Sequence, residues 1–530
     1  MKSKSYAVIA LLMLMVTLPA VSQEKGKKEE RREDKIRFEL SDHQAFELDG
    51  FKVTLGKAIE MVLVKNRDTL TGSYEVAMAD SSYQIYQKKY STFLNMEGGV
   101  KHQKYPEAMN WSMVGKDQRA WDVSAAVARM FASGTTLSAG LRHERAKTSY
   151  QSMAIPGLGE IPPFGDPDYH RPIMFVKLQQ ELLKNAFGYS ERRVEDILKN
   201  AGKMKRDAII FQLSGLVVGV VVDYWTVVIQ RSALDNAELQ LKETRRVRNI
   251  IASNVRLGLA ESFDLNYYNA LVASSEAKTV NVRQNYQDAV RKLLRTLNMD
   301  EKTRLSGTAY FVTNIKDVNE EEALKTAYRK RADYQNALMD LKNAKMAVDI
   351  YSNDSLPSLM AEFDLSSMGQ RKEYGEAYSE SGSLTYPAWE ARLKMTYPLD
   401  DREQKTNLRD ARFKFEQARL QVDKYRRLVR DDIISSIEHI ESYYKLYQKM
   451  KEARGQAEKY YSRLVASLRR GRFSADVVKN GLDAMVESRQ RELEALVQYN
   501  ITLLQFQLVR NDLFETYKIN VDKYIPRDRK

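Results

Sequence analysis

Few residues in this 530-residue chain are arranged to do chemistry. Five histidines (His43, His102, His143, His170, His439) show no metal-ligand spacing, and no cysteine is present to complete a site. There is no GxSxG elbow, no phosphate-cradling glycine loop and no HExxH pair. Asp400-Asp401 and Asp431-Asp432 are adjacent rather than convergent, and the latter reads as a solvated helix face. The thirty tyrosines invite a ligand-stacking reading. Pairs such as Tyr267-Tyr268, Tyr443-Tyr444 and Tyr460-Tyr461 are read more simply as helix packing, with rings buried and hydroxyls reaching water. Nothing here asks for an enzyme, a cofactor or a metal.

The informative pattern is physical rather than reactive. In Trp389-Glu390-Ala391-Arg392-Leu393-Lys394-Met395-Thr396-Tyr397, odd positions are apolar and even positions polar. Its length suits the ~9–11 residues of a tilted transmembrane strand, and aromatic residues close both ends. The reading is a lipid-facing row (Trp389, Ala391, Leu393, Met395, Tyr397) and a lumen row (Glu390, Arg392, Lys394, Thr396). A half-buried strand of a soluble sheet alternates identically.

Met174 to Gln180 reads as its counterpart, with Phe175 out of pattern. Leu94 to Glu97 and Leu359 to Leu365 open the two strand pairs, the second entered through Leu356-Pro357-Ser358. Trp121 to Met130 and Thr135 to Arg145, about a Ser133-Gly134 turn, read as an extra hairpin that extends a barrel or projects outside the cell. Four strands cannot close a barrel, for which ~8 is the practical minimum. An open edge is forbidden in lipid, so the chain must oligomerise; three copies of four strands give twelve.

Long helices must carry these strands. No proline lies between Pro172 and Pro357 or between Pro398 and Pro526, whereas five crowd into Pro156 to Pro172. Leu408, Ala411, Phe415, Ala418, Val422, Tyr425 and Val429 form a heptad seam. It stutters at Ile433 and Ile437, then resumes at Ile440, Tyr444 and Tyr447. Such a rod, roughly 100 Å long for ~65 residues, must pack against similar rods. A further helix is expected from Val53-Thr54-Leu55 to about Tyr90. Leu213 to Val222 is too short to span a membrane and reads as a buried helix segment.

The whole plan is written twice. Ala58 to Asp68 matches Ala323 to Asp333, 265 positions on; Gly258, Tyr286 and Asn298 match Gly471, Tyr499 and Asn511, 213 positions on.

Lys2, Lys4, the apolar run Ala7 to Leu18 and Pro19-Ala20-Val21-Ser22 read as a secretory signal cleaved before Gln23; an uncleaved inner-membrane anchor would need a longer run. Mean hydropathy of −0.52 excludes a helical-bundle membrane protein. The formal charge of +13 is spread along the chain and reads as solvated helix faces, with no nucleic-acid partner.

Leu55-Gly56-Lys57-Ala58-Ile59 with Asn66, Leu257-Gly258 with Ser262 and Asp264-Leu265, Leu356-Pro357-Ser358-Leu359, Tyr397-Pro398-Leu399, and Arg470-Gly471 with Ser474 together resemble the TolC-type outer-membrane factor family, over essentially all of positions 52 to 525. The resemblance implies a homotrimer in the outer membrane, with a twelve-stranded β-barrel and a helical barrel in the periplasm. It also implies service in tripartite efflux or type I secretion, docked to a periplasmic adaptor (membrane fusion protein) and through it to an inner-membrane transporter. Leu257, Gly258, Ser262, Arg470, Gly471 and Ser474 would form the adaptor-docking tip turns. Asp264 takes the family's acidic aperture position, and a helix N-cap is its other reading. After Gly471 that position is Val477, with Asp476 one place earlier, so the second turn departs from the family pattern.

The expected fold is therefore a mixed α/β membrane protein, internally duplicated. Very long antiparallel helices form a trimeric helical barrel joined to a shared twelve-stranded transmembrane barrel, with four core strands per chain. The expected domains are a signal peptide (1–22), a charged flexible leader (23–51), repeats at 52–300 and 317–515, a linker (301–316) and a tail (516–530). The competing reading is a periplasmic coiled-coil adaptor or scaffold without a membrane barrel.

Overall fold

The computed structural model describes residues 43–48, 51–52, 55–104, 117–149, 153–155, 159–161, 168–301, 305–468 and 475–526. The signal peptide and the Arg470, Gly471 and Ser474 turn lie outside the described residues. Three short helices come first: α1 (Leu55–Lys65), α2 (Arg67–Ala77) and α3 (Ser81–Gln87). Strands β1 (Thr92–Lys104), β2 (Asp117–Met130), β3 (Thr135–Ser149) and β4 (Asp168–Glu181) follow. Next are the long helices α4 (Tyr189–Arg256) and α5 (Ser262–Thr296). A second series follows with α6 (Glu320–Lys330), α7 (Ala332–Asp354), β5 (Ser358–Met368), a short α8 (Tyr374–Gly382) and β6 (Pro387–Thr396). Helices α9 (Arg402–Leu468) and α10 (Ala475–Val509) close it.

Two compact units result. One gathers Ser82–Lys199 and Asn343–Glu416; the other gathers the described residues before Ser82 with Asn200–Lys342 and Gln417 onward. All six labelled strands belong to the first unit and form one antiparallel sheet, in the order β6-β5-β4-β3-β2-β1.

The second unit is built by helices. Ala58, Ile59, Val62 and Leu63 of α1 and Val217, Val220, Val221 and Tyr224 of α4 are all buried in one core cluster. Leu213 to Val222 thus packs in a core, as its length suggests. On α9 every seam position is buried or half-buried, with Val429, Ile433 and Ile440 completely enclosed against Tyr499, Leu503 and Phe506 of α10. Burying one such aliphatic side chain contributes roughly 1.5–3 kcal/mol. Helix α9 runs unbroken for 67 residues through the stutter.

Local chemistry sets the helix boundaries. The single helix expected up to Tyr90 is instead three: Asn66 makes the first break by adopting an extended conformation, and a turn at 78–80 makes the second. Its carboxamide oxygen accepts from Asp68 N (2.9 Å) and Thr69 N (3.2 Å), capping α2. Asn319 caps α6 through Glu322 N (3.1 Å), where Glu320, Glu321 and Glu322 also favour the helix dipole.

Matched positions are held in the same way. Asn298 and Asn511 both take left-handed φ (53° and 55°) just past α5 and α10. Asn298 Nδ2 donates to Lys65 O (3.1 Å) and Asn511 Nδ2 to Lys330 O (2.7 Å). Helices α4 and α9 span 68 and 67 residues, and α5 and α10 span 35 each.

Two expectations change at the edges of the domain scheme. The end of the presumed flexible leader, His43–Leu48, is a strand antiparallel to Leu305–Val312, and Phe51–Lys52 runs parallel to that same strand. The 301–316 segment is therefore not a plain linker, because its backbone groups are paired in a small sheet. Nothing in the polar composition of 23–51 signals a partner about 260 residues away.

Candidate functional site: a two-faced sheet and the helix turns

The extra hairpin resolves here. Strands β2 and β3 stand inside the sheet, between β1 and β4, so the chain supplies six strands to one sheet rather than four. Strand β1 consequently pairs with β2 (Leu94 opposite Val127) and not with β4, correcting the first expected pair. The second expected pair holds, with Leu359 opposite Met395.

The register sorts side chains strictly by face, since successive residues of a strand point to opposite sides. Leu94, Met96 and Val100 of β1 share a face with Trp121, Val123 and Val127 of β2. That face continues through Leu137, Ala139 and Leu141 of β3 and Met174, Val176 and Leu178 of β4. It ends with Phe363 and Leu365 of β5 and Trp389, Ala391 and Leu393 of β6. Trp389 and Leu393 are 72% and 73% exposed, and Val100 is 91% exposed. Met395 is also exposed, and Tyr397 follows the last strand residue.

The other face is a lattice of charge. Arg392 reaches Glu390 (2.5 Å) and Glu362 (3.9 Å). Lys177 lies 3.8 Å from both Glu362 and Asp364, and Gln179 Nε2 donates to Glu362 (3.0 Å). Arg142 and Asp122 (3.6 Å) extend the lattice into the hairpin. Phe175 sits on this face, opposite Gly140 in register. Gly140 has no room for a side chain, since a Cβ would lie 2.6 Å from Ala125 O.

At one end the apolar face is covered by α8. Ser381 Oγ donates to Ser367 O (2.9 Å), and a Cβ on Gly369 would collide with Ala377 O. Tyr378 stacks on His143 (centroids 5.5 Å apart), whose Nε2 lies 3.2 Å from His170 Nδ1. Two of the scattered histidines are thus neighbours, a proximity that only strand register creates. Among the described residues, no group of three or more His, Asp or Glu is placed to hold a metal.

The helix turn is the second region. Helix α4 ends at Arg256, and Gly258 takes φ +71°, where a side chain is disfavoured. Leu259 N donates to Asn254 O (2.8 Å) and Gly258 N to Val255 O (3.1 Å), satisfying the last carbonyls of the helix. Leu257, Leu259 and Phe263 are all about two-thirds exposed there, an apolar turn beside Ser262 at the start of α5. Glu261, not Asp264, occupies the N-cap position; Asp264 stands in the first turn. The N-cap reading of Asp264 is therefore set aside.

Asp264 and Asp476 both act electrostatically on one side chain. Tyr268 is almost wholly buried, among Val247, Ile251, Leu464 and Val478. Burial pushes its hydroxyl far above the usual range, and Tyr267 with the carboxylates of Asp476, Asp483 and Asp264 adds to the rise. Tyr461, also buried, donates to Glu243 (2.9 Å), while Tyr267 and Tyr460 stay exposed. Asp483, well beyond the matched position after Gly471, accepts from Gln240 Nε2 (2.6 Å) and pairs with Lys479 (3.1 Å). A groove of about 780 Å³ nearby on α4 and α5 is lined by Lys242, Arg245, Arg246 and Arg283 with Glu238.

The chain has the fold of TolC-type outer-membrane channels. It is similar to the CmeC outer-membrane channel of Campylobacter jejuni: TM-score 0.61, 13% identity, 89% of each chain covered. It is also similar to the open-state MtrE outer-membrane channel of Neisseria gonorrhoeae: TM-score 0.60, 14% identity, covering 87% of this chain and 89% of that one. The outer-membrane protein VceC of Vibrio cholerae matches at TM-score 0.59 and 13% identity, covering 87% and 95%. No protein-family model and no curated protein matches the sequence.

Proposed function

We propose that this chain is a passive exit duct of the outer membrane, assembled as a homotrimer. The observation that carries the reading is the single sheet with one apolar face, exposed or half-exposed except where α8 covers one end, and one charged face. A soluble protein rarely leaves so large an apolar surface uncovered, whereas lipid requires it. The opposite, ion-paired face suits a water-filled lumen. Both free edges of the sheet need partners in lipid, which requires further copies. The four strands that flank the long helices in both halves give twelve core strands in three copies, and the hairpin adds to them.

The long helices project as a periplasmic helical barrel. The paired Asn298–Lys65 and Asn511–Lys330 contacts support an internal duplication, so three chains yield a six-fold-like tube. The duct does no chemistry of its own and serves a tripartite efflux pump or a type I secretion system. A periplasmic adaptor docks at the turns of Leu257, Gly258 and Ser262 and of Arg470, Gly471 and Ser474, and joins the duct to an inner-membrane transporter. Opening shifts the helices carrying these turns, and Asp264 with Asp476 sets charge at the entrance. The coiled-coil adaptor reading accounts for the rods but leaves the apolar sheet face without a role.

Fractionation tests the proposal. A heat-modifiable trimer that leaves outer membranes only in detergent is expected; a soluble periplasmic monomer overturns the reading. Cysteine pairs across neighbouring tips should lock conductance on oxidation, and unchanged single-channel current in the cross-linked trimer would refute tip opening.

A further inference from the structure

From the six-stranded sheet we infer that the assembled wall is an eighteen-stranded barrel. Its joints pair β1 of one copy with β6 of the next, at a fixed register. The inference rests on the duct reading and specifies its partner surface as the two sheet edges.

Three observations converge. The hairpin of β2 and β3 obeys the same division of faces as the other four strands: Trp121, Val123 and Val127 lie on the apolar side, Asp122 and Arg142 on the charged side. A hairpin projecting from the membrane would have no reason to keep an apolar row in register with Met174 and Leu178. It is wall, not appendage.

The two free edges, β1 and β6, run in opposite directions, because the sheet has an even number of antiparallel strands. Identical copies can therefore join edge to edge with every neighbour antiparallel, and no edge is left open to lipid.

The edges are also offset by the amount that closure needs. Following direct partners across the sheet, Thr92 aligns in turn with Arg129, Leu137, Leu178, Phe363 and Ala391. Thr92 begins β1, whereas Ala391 is central in β6, so the strand centres (Gly98 and Ala391) are six residues out of step. Closing eighteen strands spaced ~4.8 Å and tilted ~40° requires a stagger of about seven residues at each of three joints. Only even shifts keep the apolar rows on one face. A shift of six brings the edges into full overlap, pairing Leu94 with Met395, Met96 with Leu393, Gly98 with Ala391 and Val100 with Trp389 of the neighbouring copy. The resulting wall is about 36 Å across the backbone, against about 24 Å for twelve strands.

The test uses the full chain, which carries no native cysteine to interfere. Leu94→Cys with Met395→Cys, and separately Met96→Cys with Leu393→Cys, are oxidised in outer membranes; Leu94→Cys with Trp389→Cys serves as the mismatched pair. Covalent trimers from the two matched pairs alone, with eighteen strands counted by cryo-electron microscopy in nanodiscs, support the inference. A detergent-extracted trimer in which neither matched pair cross-links, or whose wall shows twelve strands, overturns it and leaves the duct standing. Recovery of soluble monomer from every variant and from the wild type overturns the duct as well.

Discussion

Leu393→Arg isolates the claim that the apolar face meets lipid. Leu393 lies within β6, opposite Ala361, and is 73% exposed on the apolar row. In water an exposed leucine replaced by arginine changes stability by roughly 0.5 kcal/mol or less. At the bilayer midplane the same change costs about 2–4 kcal/mol per copy, hence about 6–12 kcal/mol over three copies. The control is the adjacent Lys394→Arg, which alters the charged face and should stay within roughly 0.5 kcal/mol. The assay is the urea midpoint of the heat-modifiable trimer in detergent micelles, read beside its yield in outer membranes. Leu393→Arg should lower both, and Lys394→Arg neither. If Leu393→Arg assembles and unfolds like the wild type, the exposed row does not face hydrocarbon and the sheet argument fails.

Asn298→Ala and Asn511→Ala each remove a bond to the carbonyl of Lys65 or Lys330 and replace asparagine, which tolerates positive φ, with alanine, which tolerates it less. Each should cost about 1–3 kcal/mol by chemical denaturation, with the glycine variants recovering the backbone part; unequal losses at the two sites would weaken the duplication. Ile433→Ala empties a fully buried seam position and should cost about 2–5 kcal/mol; a loss under 1 kcal/mol would mean the stutter is loosely packed. Tyr268 has a raised pKa when folded, so its contribution is intact below the ordinary tyrosine value near ~10 and is lost as pH climbs above it. Tyr268→Phe should therefore flatten the alkaline limb of the stability curve, and an unchanged limb would show that the buried hydroxyl is not the group involved. Asp264→Asn with Asp476→Asn should reduce cation preference in planar-bilayer recordings, and an unaltered reversal potential would remove these carboxylates from the entrance.

What the sequence alone determined are the properties written into local periodicity. The heptad steps of α9, its stutter, the alternation of Trp389 to Tyr397 and the core nature of Leu213 to Val222 all depend on near neighbours, which burial then selects. The repetition of the Asn298 and Asn511 positions was legible too, although what those residues bond was not.

Long-range register was not legible. Whether Thr92–Lys104 pairs with Asp117–Met130 or with Asp168–Glu181 depends on strands with the same alternation, and period-two patterning is blind to partner choice. For the same reason the hairpin's place in the sheet, the pairing of His43–Leu48 with Leu305–Val312 and the contact of His143 with His170 emerged only from the tertiary structure. The electrostatic influence of Asp476 and Asp483 on Tyr268 belongs with these. Asp264 is a near neighbour of Tyr268 on α5, but Asp476 and Asp483 lie more than 200 residues further on, and only helix packing brings their charges within range of that hydroxyl.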